Sequence, residues 1–323
     1  MSKILLILLF ISVIALGQSD FDDIKRAAEH GDSDALYKLS LVYIFGDGAQ
    51  RDLDKGIKFL RSAAGLGNIN SQLLFAEILT NGELAKENLA EAAFWFLQAA
   101  EQGNPLAQYN LAKMMAYGEG IPMNANQAVK WYRLAAEQGN INAQFELGKM
   151  YDNGKDVPEI DSEAIKWYRL AAVEGHVDAQ FNLGVMYDNG AAVPENDVEA
   201  IKWYLRASEQ GHVNAQFNLG VKYDNGEGVP ENDVEAIKWY RLAAEQGNAD
   251  AQNNLGLMYA SGQGVPQNMT LAYAWFSISA ALGLDNARVN KTIAADRLAP
   301  EQLTMGQNLA TKCFESHYKH CDL

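Results

Sequence analysis

The sequence predicts an all-α protein, a right-handed superhelical solenoid of about seven helix pairs in which each pair takes 36 residues. Two observations predict this fold. Glycine recurs in two series with that period, and all six tryptophans share one position of it. A period of this length is typical of helical units that stack on their neighbours. The series are Gly31, Gly67, Gly103, Gly139, Gly175, Gly211, Gly247 and Gly283; Gly46, Gly82, Gly118, Gly154, Gly190, Gly226 and Gly262; and Trp95, Trp131, Trp167, Trp203, Trp239 and Trp275.

The first helix of each pair is predicted from apolar residues at four-residue steps, as with Ala215, Leu219 and Tyr223. Glycine inside a helix costs about 1 kcal/mol relative to alanine. Its recurrence at Gly184 and Gly220 therefore predicts that a neighbouring helix passes too close for a side chain.

The second helix is predicted from Ala236, Trp239, Tyr240 and Ala243, which follow the i, i+3, i+4, i+7 spacing of an amphipathic helix. We expect the tryptophan and the tyrosine to be buried and the flanking lysine and arginine to be solvated. The connections also carry helix signals, because Asn-Gly pairs close first helices and an Asn or Asp caps the second, as at Asn232.

The first residues have the pattern of a signal peptide. An apolar run from Ile4 to Leu16 follows Lys3, and the small residue Gly17 precedes polar residues, so we expect cleavage after Gly17. An uncleaved membrane anchor is the alternative, although the run is shorter than the ~20 residues of a spanning helix.

This pattern divides the chain into three parts. Residues 1–17 are the predicted signal peptide, and residues 18–284 form the solenoid. The solenoid has an opening half-repeat at 21–31 and seven helix pairs at 32–283. Residues 285–323 are predicted to be capping helices that carry the cysteine pair. The predicted location is periplasmic or secreted.

Composition and charge exclude several classes of protein. A content of 48% hydrophobic and 21% charged residues argues against both a disordered chain and a multi-spanning membrane protein. The formal net charge of −15 argues against nucleic-acid partners and favours basic ones. No cofactor is predicted, and the oligomeric state stays open.

The motif resembles the Sel1-like repeat, a relative of the tetratricopeptide repeat. It stands in this sequence as Ala179-Gln-Phe-Asn-Leu-Gly-Val-Met-Tyr187, Gly190 and Ala200-Ile-Lys-Trp-Tyr204. The resemblance covers nearly the whole chain after the signal peptide, and the unit after Gly67 departs from the motif. It implies an adaptor that binds a protein or a peptide.

In the related tetratricopeptide fold, side chains of the first helices line a concave groove. Carried over by position, the resemblance implies a partner-binding face with a ladder of aromatic residues and a row of aspartates. Two alternatives stay open: the aspartates could be solvated turn residues, and the phenylalanines could belong to the core. The predicted residues are Tyr109, Asn142, Phe145, Lys149, Asp152, Asp178, Phe181, Val185, Asp188, Asn214, Phe217, Val221 and Asp224.

A catalytic site would need a polar cluster that breaks the repeat, and none is evident in the sequence. His176 and His212 occupy one loop position and are interpreted as drifted surface residues. The alternative to an adaptor is a cell-wall or β-lactam hydrolase, an activity linked with cysteine-rich relatives.

The two cysteines, Cys313 and Cys321, lie close to the end of the chain. In an exported protein they predict a disulfide. Together with His317 and His320 they could instead bind zinc, which is the alternative that stays open.

Overall fold

The structure is a computed structural model that describes residues 18–154, 157–319 and 321. The predicted signal peptide at 1–17 lies outside the described residues. The chain divides into two compact units, Met1–Ile160 (unit 1) and Asp161–Leu323 (unit 2). Each unit is described by itself.

Unit 1 contains eight described helices, most of them thirteen residues long. Each helix packs against the next one along the chain. They are α1 (Gln18–Glu29), α2 (Ser33–Phe45), α3 (Leu53–Gly65), α4 (Ile69–Asn81), α5 (Leu89–Glu101), α6 (Pro105–Tyr117), α7 (Ala125–Glu137) and α8 (Ile141–Asn153).

Unit 2 contains nine described helices; each helix from α9 to α15 packs against the next one, and α15 packs against both α16 and α17. They are α9 (Asp161–Val173), α10 (Val177–Asn189), α11 (Asp197–Glu209), α12 (Val213–Asn225), α13 (Asp233–Ala244), α14 (Ala249–Ser261), α15 (Met269–Ala281), α16 (Asp285–Asp296) and α17 (Pro300–Glu315). The described residues contain no β-strand. The predicted all-α fold of consecutive helix pairs is therefore confirmed.

The predicted helix ends are also confirmed. Gly226 ends α12 in the left-handed conformation, with φ of 71°, and its N–H donates to the carbonyl of Lys222. The side chain of Asn232 caps α13 by accepting a hydrogen bond of 3.1 Å from the N–H of Glu235. Both contacts satisfy backbone groups that a helix end leaves without partners.

The glycines inside the first helices lie against an aromatic ring of the second helix. A Cβ atom on Gly184 would lie 2.6 Å from the Tyr204 ring, and one on Gly220 would lie 2.4 Å from the Tyr240 ring. A normal carbon contact needs about 3.5–4.0 Å. The close approach predicted from these glycines is therefore confirmed.

The prediction that both aromatic residues of the second helix are buried is only half right. Tyr132, Tyr204 and Tyr240 are at most 1% exposed. Among the tryptophans that share one position, only Trp167 and Trp275 are buried, and the other four are partly exposed. Neighbouring side chains on a helix diverge by about 100°. The tyrosine faces the glycine of its own pair, whereas the neighbouring tryptophan points in another direction and in four repeats keeps part of its surface exposed.

Hydrogen bonds between glutamine side chains join consecutive repeats. The side chain of Gln180 donates to the carbonyl of Ala172 at 3.0 Å, and Gln210 then donates to the Oε1 of Gln180 at 2.9 Å. Gln246 and Gln216 repeat this contact at 2.7 Å one period later. Gln180 and Gln216 are buried, whereas the donors Gln210 and Gln246 are exposed, so each hydrogen bond gives a buried amide oxygen a partner from the next repeat.

The buried tyrosine hydroxyl has a fixed acceptor in unit 2. Tyr204 donates to Asp188 at 3.0 Å, and Tyr240 donates to Asp224 at 3.1 Å. In unit 1, Ala116 occupies the repeat position of these aspartates, and the buried hydroxyl of Tyr132 has no hydrogen-bond partner. The aspartates are therefore part of the repeat's internal packing.

This comparison predicts that Ala116→Asn gives the Tyr132 hydroxyl an acceptor without adding charge. The matched control is Ala260→Asn, at the same repeat position opposite Phe276, which has no hydroxyl. We expect Ala116→Asn to be the more stable variant by about 1 kcal/mol in urea unfolding. Equal stabilities of the two variants would contradict the role given to the hydroxyl.

Candidate functional site

The residues predicted to bind a partner lie on the first helices of the repeats. We call the side of these helices that carries the predicted residues the first-helix surface, and each unit has its own. In unit 1 the predicted residues belong to α6 and α8, and in unit 2 to α10 and α12. Most are half-buried, whereas Asp178 and Asn214 are exposed. Each unit presents its own part of the predicted set.

The phenylalanines of unit 2 are partly core and partly surface. The ring of Phe181 lies 5.8 Å from the Tyr204 ring, and that of Phe217 lies 5.9 Å from the Tyr240 ring. Phe181 also stacks on His212 at 4.4 Å. Both phenylalanines keep a part of their surface exposed. They can contact a ligand, but they also hold the inner tyrosines in place.

The aspartates of unit 2 have intramolecular partners. Asp188 and Asp224 accept the tyrosine hydroxyls described above, and Asp178 lies 3.6 Å from the Nε2 of His212. Burial raises the pKa of Asp224, and the nearby Asp233 raises it further, against the opposing hydrogen bond from Tyr240. These contacts favour a structural role for much of the row.

An apolar row on the first-helix surface of unit 2 is longer than the predicted set. Val185 and Val221 occupy one repeat position, and that position continues in Leu257 and Ile293. Leu257 is 44% exposed and Ile293 is 46% exposed, whereas the two valines are half-buried. Val289 continues the position of the phenylalanines and is 59% exposed. The 36-residue register, followed to the end of the repeats, would have identified these residues.

The first-helix surface of unit 1 is more polar. Lys149 forms an ion pair with Glu146 at 2.6 Å and lies 5.5 Å above the Phe145 ring. Tyr109 packs on Tyr132 with ring centroids 5.9 Å apart. Burial and the nearby Glu146 raise the pKa of Tyr109. Asn142 and Asp152 are half-buried, and the Asp152 side chain has an interaction partner within the protein.

A polar cluster that breaks the repeat does exist in unit 2, which corrects the expectation that there is none. Lys222 occupies a position that holds Met186 and Met258 in neighbouring repeats, and it is only 6% exposed. Its ammonium group pairs with Asp188 and lies 2.8 Å from both Asp197 and Glu227.

The Lys222 cluster is closed on itself. Burial lowers the pKa of Lys222, but the hydrogen bonds to the three carboxylates outweigh this effect, so its pKa is raised overall. An ammonium group has three donors, and all three have an acceptor here. The ammonium group of Lys222 therefore has no free donor with which to act as an acid or a nucleophile. Its partners lie in three separate segments of the chain, so their spacing in the sequence does not indicate the cluster.

Unit 1 holds a second feature that the sequence did not reveal. Glu77 on α4 shares the repeat position of Val185 and Leu257, and it is half-buried. Burial raises its pKa to about 7. The hydroxyl of Tyr37 on α2 is buried without a hydrogen-bond partner, and burial together with the nearby Glu77 raises its pKa to about 12.

His176 and His212 are helix caps, which corrects their interpretation as drifted surface residues. The Nδ1 of His212 accepts a hydrogen bond of 3.1 Å from the N–H of Ala215, and His176 caps α10 in the same way at 3.3 Å from Ala179. Asn248 holds this position one repeat later and also caps its helix. Because an unprotonated imidazole nitrogen can replace the amide oxygen, histidine is accepted here.

The two cysteines lie together at the end of unit 2. Cys313 and Cys321 are buried, and their Cα atoms are 4.7 Å apart, a separation that suits a disulfide. Within the described part of the chain, no group of three or more His, Cys, Asp or Glu side chains could hold a metal ion. His320, which the zinc alternative requires, lies outside the described residues. None of the helices α1–α17 has the length and hydropathy of a membrane-spanning segment.

Comparisons with known proteins agree with this architecture. The Sel1 repeat family matches seven consecutive segments, at residues 33–68, 70–104, 105–140, 141–176, 177–212, 213–248 and 249–284. Proteins built from this repeat are helical-repeat scaffolds that typically mediate protein interactions. Comparison with curated proteins gives no match.

Two crystal structures resemble the chain along most of its length. One is c5321, a protective antigen present in uropathogenic Escherichia coli strains that displays an SLR fold, with 31% identity and a TM-score of 0.78. That match covers 94% of this chain and 65% of the antigen, so this chain spans about two thirds of it. The other is a Sel1 repeat protein from Oxalobacter formigenes, with 27% identity, a TM-score of 0.71 and coverage of 91% and 89%.

The cap at His212 predicts a loss of stability in acid. Burial lowers the pKa of His212, against the opposing effect of Asp178, so the folded state favours the neutral imidazole. The cap's contribution of about 1 kcal/mol is therefore present above a pH of about 6.5 and is lost as the pH falls through the lowered pKa.

Urea unfolding between pH 5 and 8 measures this loss. In His212→Asn the cap does not titrate, so we expect a flatter dependence of stability on pH. The reciprocal variant Asn248→His should make the dependence steeper. An unchanged profile in both variants would show that the cap is not coupled to pH.

Proposed function

Because this chain belongs to the Sel1 repeat family, we propose that it is an exported adaptor that holds a protein or peptide against the first helices of its repeats. The observation that carries the proposal is the apolar row of unit 2. Leu257, Val289 and Ile293 are each more than two-fifths exposed. Exposed aliphatic side chains in one line are suited to binding a partner that is extended or helical.

The charge of the protein supports a partner with basic as well as apolar side chains. The chain carries a formal net charge of −15, and exposed Asp178 and Asp250 lie in the first turns of first helices in unit 2. Opposite charges at the rim of an interface increase the association rate and discriminate between partners. Nucleic acid is disfavoured for the same electrostatic reason.

Export is proposed from the two ends of the chain. The Ile4 to Leu16 run has the composition of a signal peptide that is removed before Gln18. The buried pair Cys313 and Cys321 would form a disulfide in an oxidising compartment and would fasten the end of α17. We therefore propose a periplasmic or secreted protein that does not stay inserted in the membrane.

The two lysines on or beside the predicted binding residues have structural partners and are not arranged for hydrolysis. Lys222 is fully engaged by its three carboxylates, and Lys149 is paired with Glu146. General acid–base chemistry needs a group that can exchange a proton with the substrate. Neither of these lysines is poised in that way.

Two leucines with equal exposure provide the test. Leu257 on α14 and Leu242 on α13 are each 44% exposed, but only Leu257 belongs to the apolar row. Affinity capture from the exported-protein fraction of the source organism compares the wild type with Leu257→Arg and Leu242→Arg. We expect one partner to elute with the wild type and Leu242→Arg but not with Leu257→Arg.

The opposite pattern, in which the partner is retained on Leu257→Arg and lost on Leu242→Arg, would assign binding to the second helices. Both leucines are exposed, so neither substitution should unfold the chain, and circular dichroism checks this.

A further inference from the structure

Among the described residues, α16 is a first helix without a second helix packed against it. α14 begins at Ala249 and α16 begins at Asp285, 36 residues later, so α16 keeps the register of the first helices. The helix that follows it, α17, packs against α15 instead of α16. A Cβ atom on Gly306 of α17 would lie 2.8 Å from the Tyr273 ring of α15. The partner that α10, α12 and α14 each have is therefore missing for α16.

Three positions of a first helix face its own second helix. In α12 they are Phe217, Gly220 and Asp224. The Phe217 ring lies 5.9 Å from the Tyr240 ring, Gly220 lies against that ring, and Asp224 accepts its hydroxyl at 3.1 Å. In α10, α12 and α14 these positions are all buried or half-buried. A second helix thus covers this face wherever it is present.

In α16 the same three positions are exposed. They hold Val289, Thr292 and Asp296. Val289 is 59% exposed, and Ile293, one helical turn further along the same side, is 46% exposed. Asp296 stands where Asp224 accepts a tyrosine hydroxyl, but α16 has no second helix to donate one. We call the face formed by Val289, Thr292, Ile293 and Asp296 the open position.

The open position is more apolar than a surface that only closes a stack of repeats. The outer side of such a closing helix is expected to be polar. α1, which has the register of a second helix and no described first helix, follows this rule, since α16 and not α1 exposes aliphatic side chains. The exposed residues described in α1 are all charged, namely Asp20, Asp22, Asp23, Lys25, Arg26 and Glu29.

Thr292 restricts which side chains fit the open position. Its repeat position holds glycine in α10, α12 and α14, and a Cβ atom there would lie only 2.4 to 2.6 Å from the aromatic ring of the second helix. Thr292 therefore excludes an aromatic ring in that register. An unbranched lysine side chain can extend past Thr292 to the Asp296 carboxylate. Within the chain, Lys222 pairs in this way with Asp188, the counterpart of Asp296.

We propose that a helix of the protein partner docks on α16 in the place of the missing second helix. Its aliphatic side chains would cover Val289 and Ile293, and a lysine would donate to Asp296. The inference rests on the proposed function and specifies that the partner is helical where it meets α16. Continuity supports this occupant, because the docked helix would repeat the contact that joins α12 to α13 and α14 to α15.

Two peptides with the α13 sequence, residues 232–246, test the open position on the full chain. One peptide keeps Tyr240 and the other carries Tyr240→Lys. Both are fluorescent and are held helical by a side-chain bridge on the solvent face, which removes the cost of ordering them. By fluorescence anisotropy we expect the wild type to bind the Tyr240→Lys peptide about tenfold more tightly than the other. Thr292→Gly should reverse the preference, because the ring then has the space that Gly220 gives it.

Two exposed valines provide matched variants. Val289→Arg should abolish the binding of both peptides. Val198→Arg, at a valine of α11 that is 51% exposed, should leave the binding unchanged. Circular dichroism verifies that all variants are folded. The proposal would be overturned by equal binding of the two peptides to the wild type, by an unreversed preference in Thr292→Gly, or by equal effects of the two arginine variants.

Leu257→Arg separates this proposal from the proposed function. Leu257 belongs to α14, whose second helix is present, so this variant should bind both peptides as the wild type does and yet lose the captured partner. If the partner is kept by Leu257→Arg and lost by Val289→Arg, the apolar row is wrong and the open position is supported. If the partner is lost by Leu257→Arg and kept by Val289→Arg, no helix of the partner docks on α16.

Discussion

Each helix pair from α10 to α15 depends on the contact between an aromatic ring of the second helix and a glycine of the first, and in two of these three pairs the ring is a tyrosine. At Gly184 and Gly220 the ring occupies the space of a side chain, so the two helices approach as closely as their backbones allow. The hydroxyl at the end of the ring then needs an acceptor, since it is carried into the interior. Asp188 and Asp224 provide it at the C-terminal end of the same first helix.

This contact explains several residues that otherwise look functional. The aspartate row lies on the first-helix surface, yet in unit 2 its members serve the tyrosines. In the pair α14–α15 the two positions change together, because Phe276 has no hydroxyl and Ala260 stands where the aspartate would be; in the pair α6–α7 they do not, because Tyr132 keeps its hydroxyl opposite Ala116. In a protein of repeats, the other copies reveal which polar residues belong to the packing and which depart from it.

The departures are therefore the informative positions. Lys222 replaces a core methionine and pairs with two aspartates of positions that recur in the repeats, Asp188 and Asp197, and with Glu227, so its charge is neutralised within the chain. Glu77 stands at a position that holds aliphatic residues or lysine in the other repeats, and none of the ion pairs among the described residues includes it. A buried charge is tolerated when a partner of opposite charge is supplied, as it is for Lys222.

The sequence by itself determined the helices, their ends, the period and the close approach at the glycines, because these follow from local spacing and from conformations that only glycine adopts readily. Its resemblance to the tetratricopeptide repeat also led to the prediction that a partner binds on the first helices. Only the tertiary structure decided that Tyr240 is more deeply buried than Trp239, that His212 caps a helix, and that Lys222 is neutralised by three carboxylates. Those outcomes depend on distances between side chains of different helices, and a period read along one chain does not contain them.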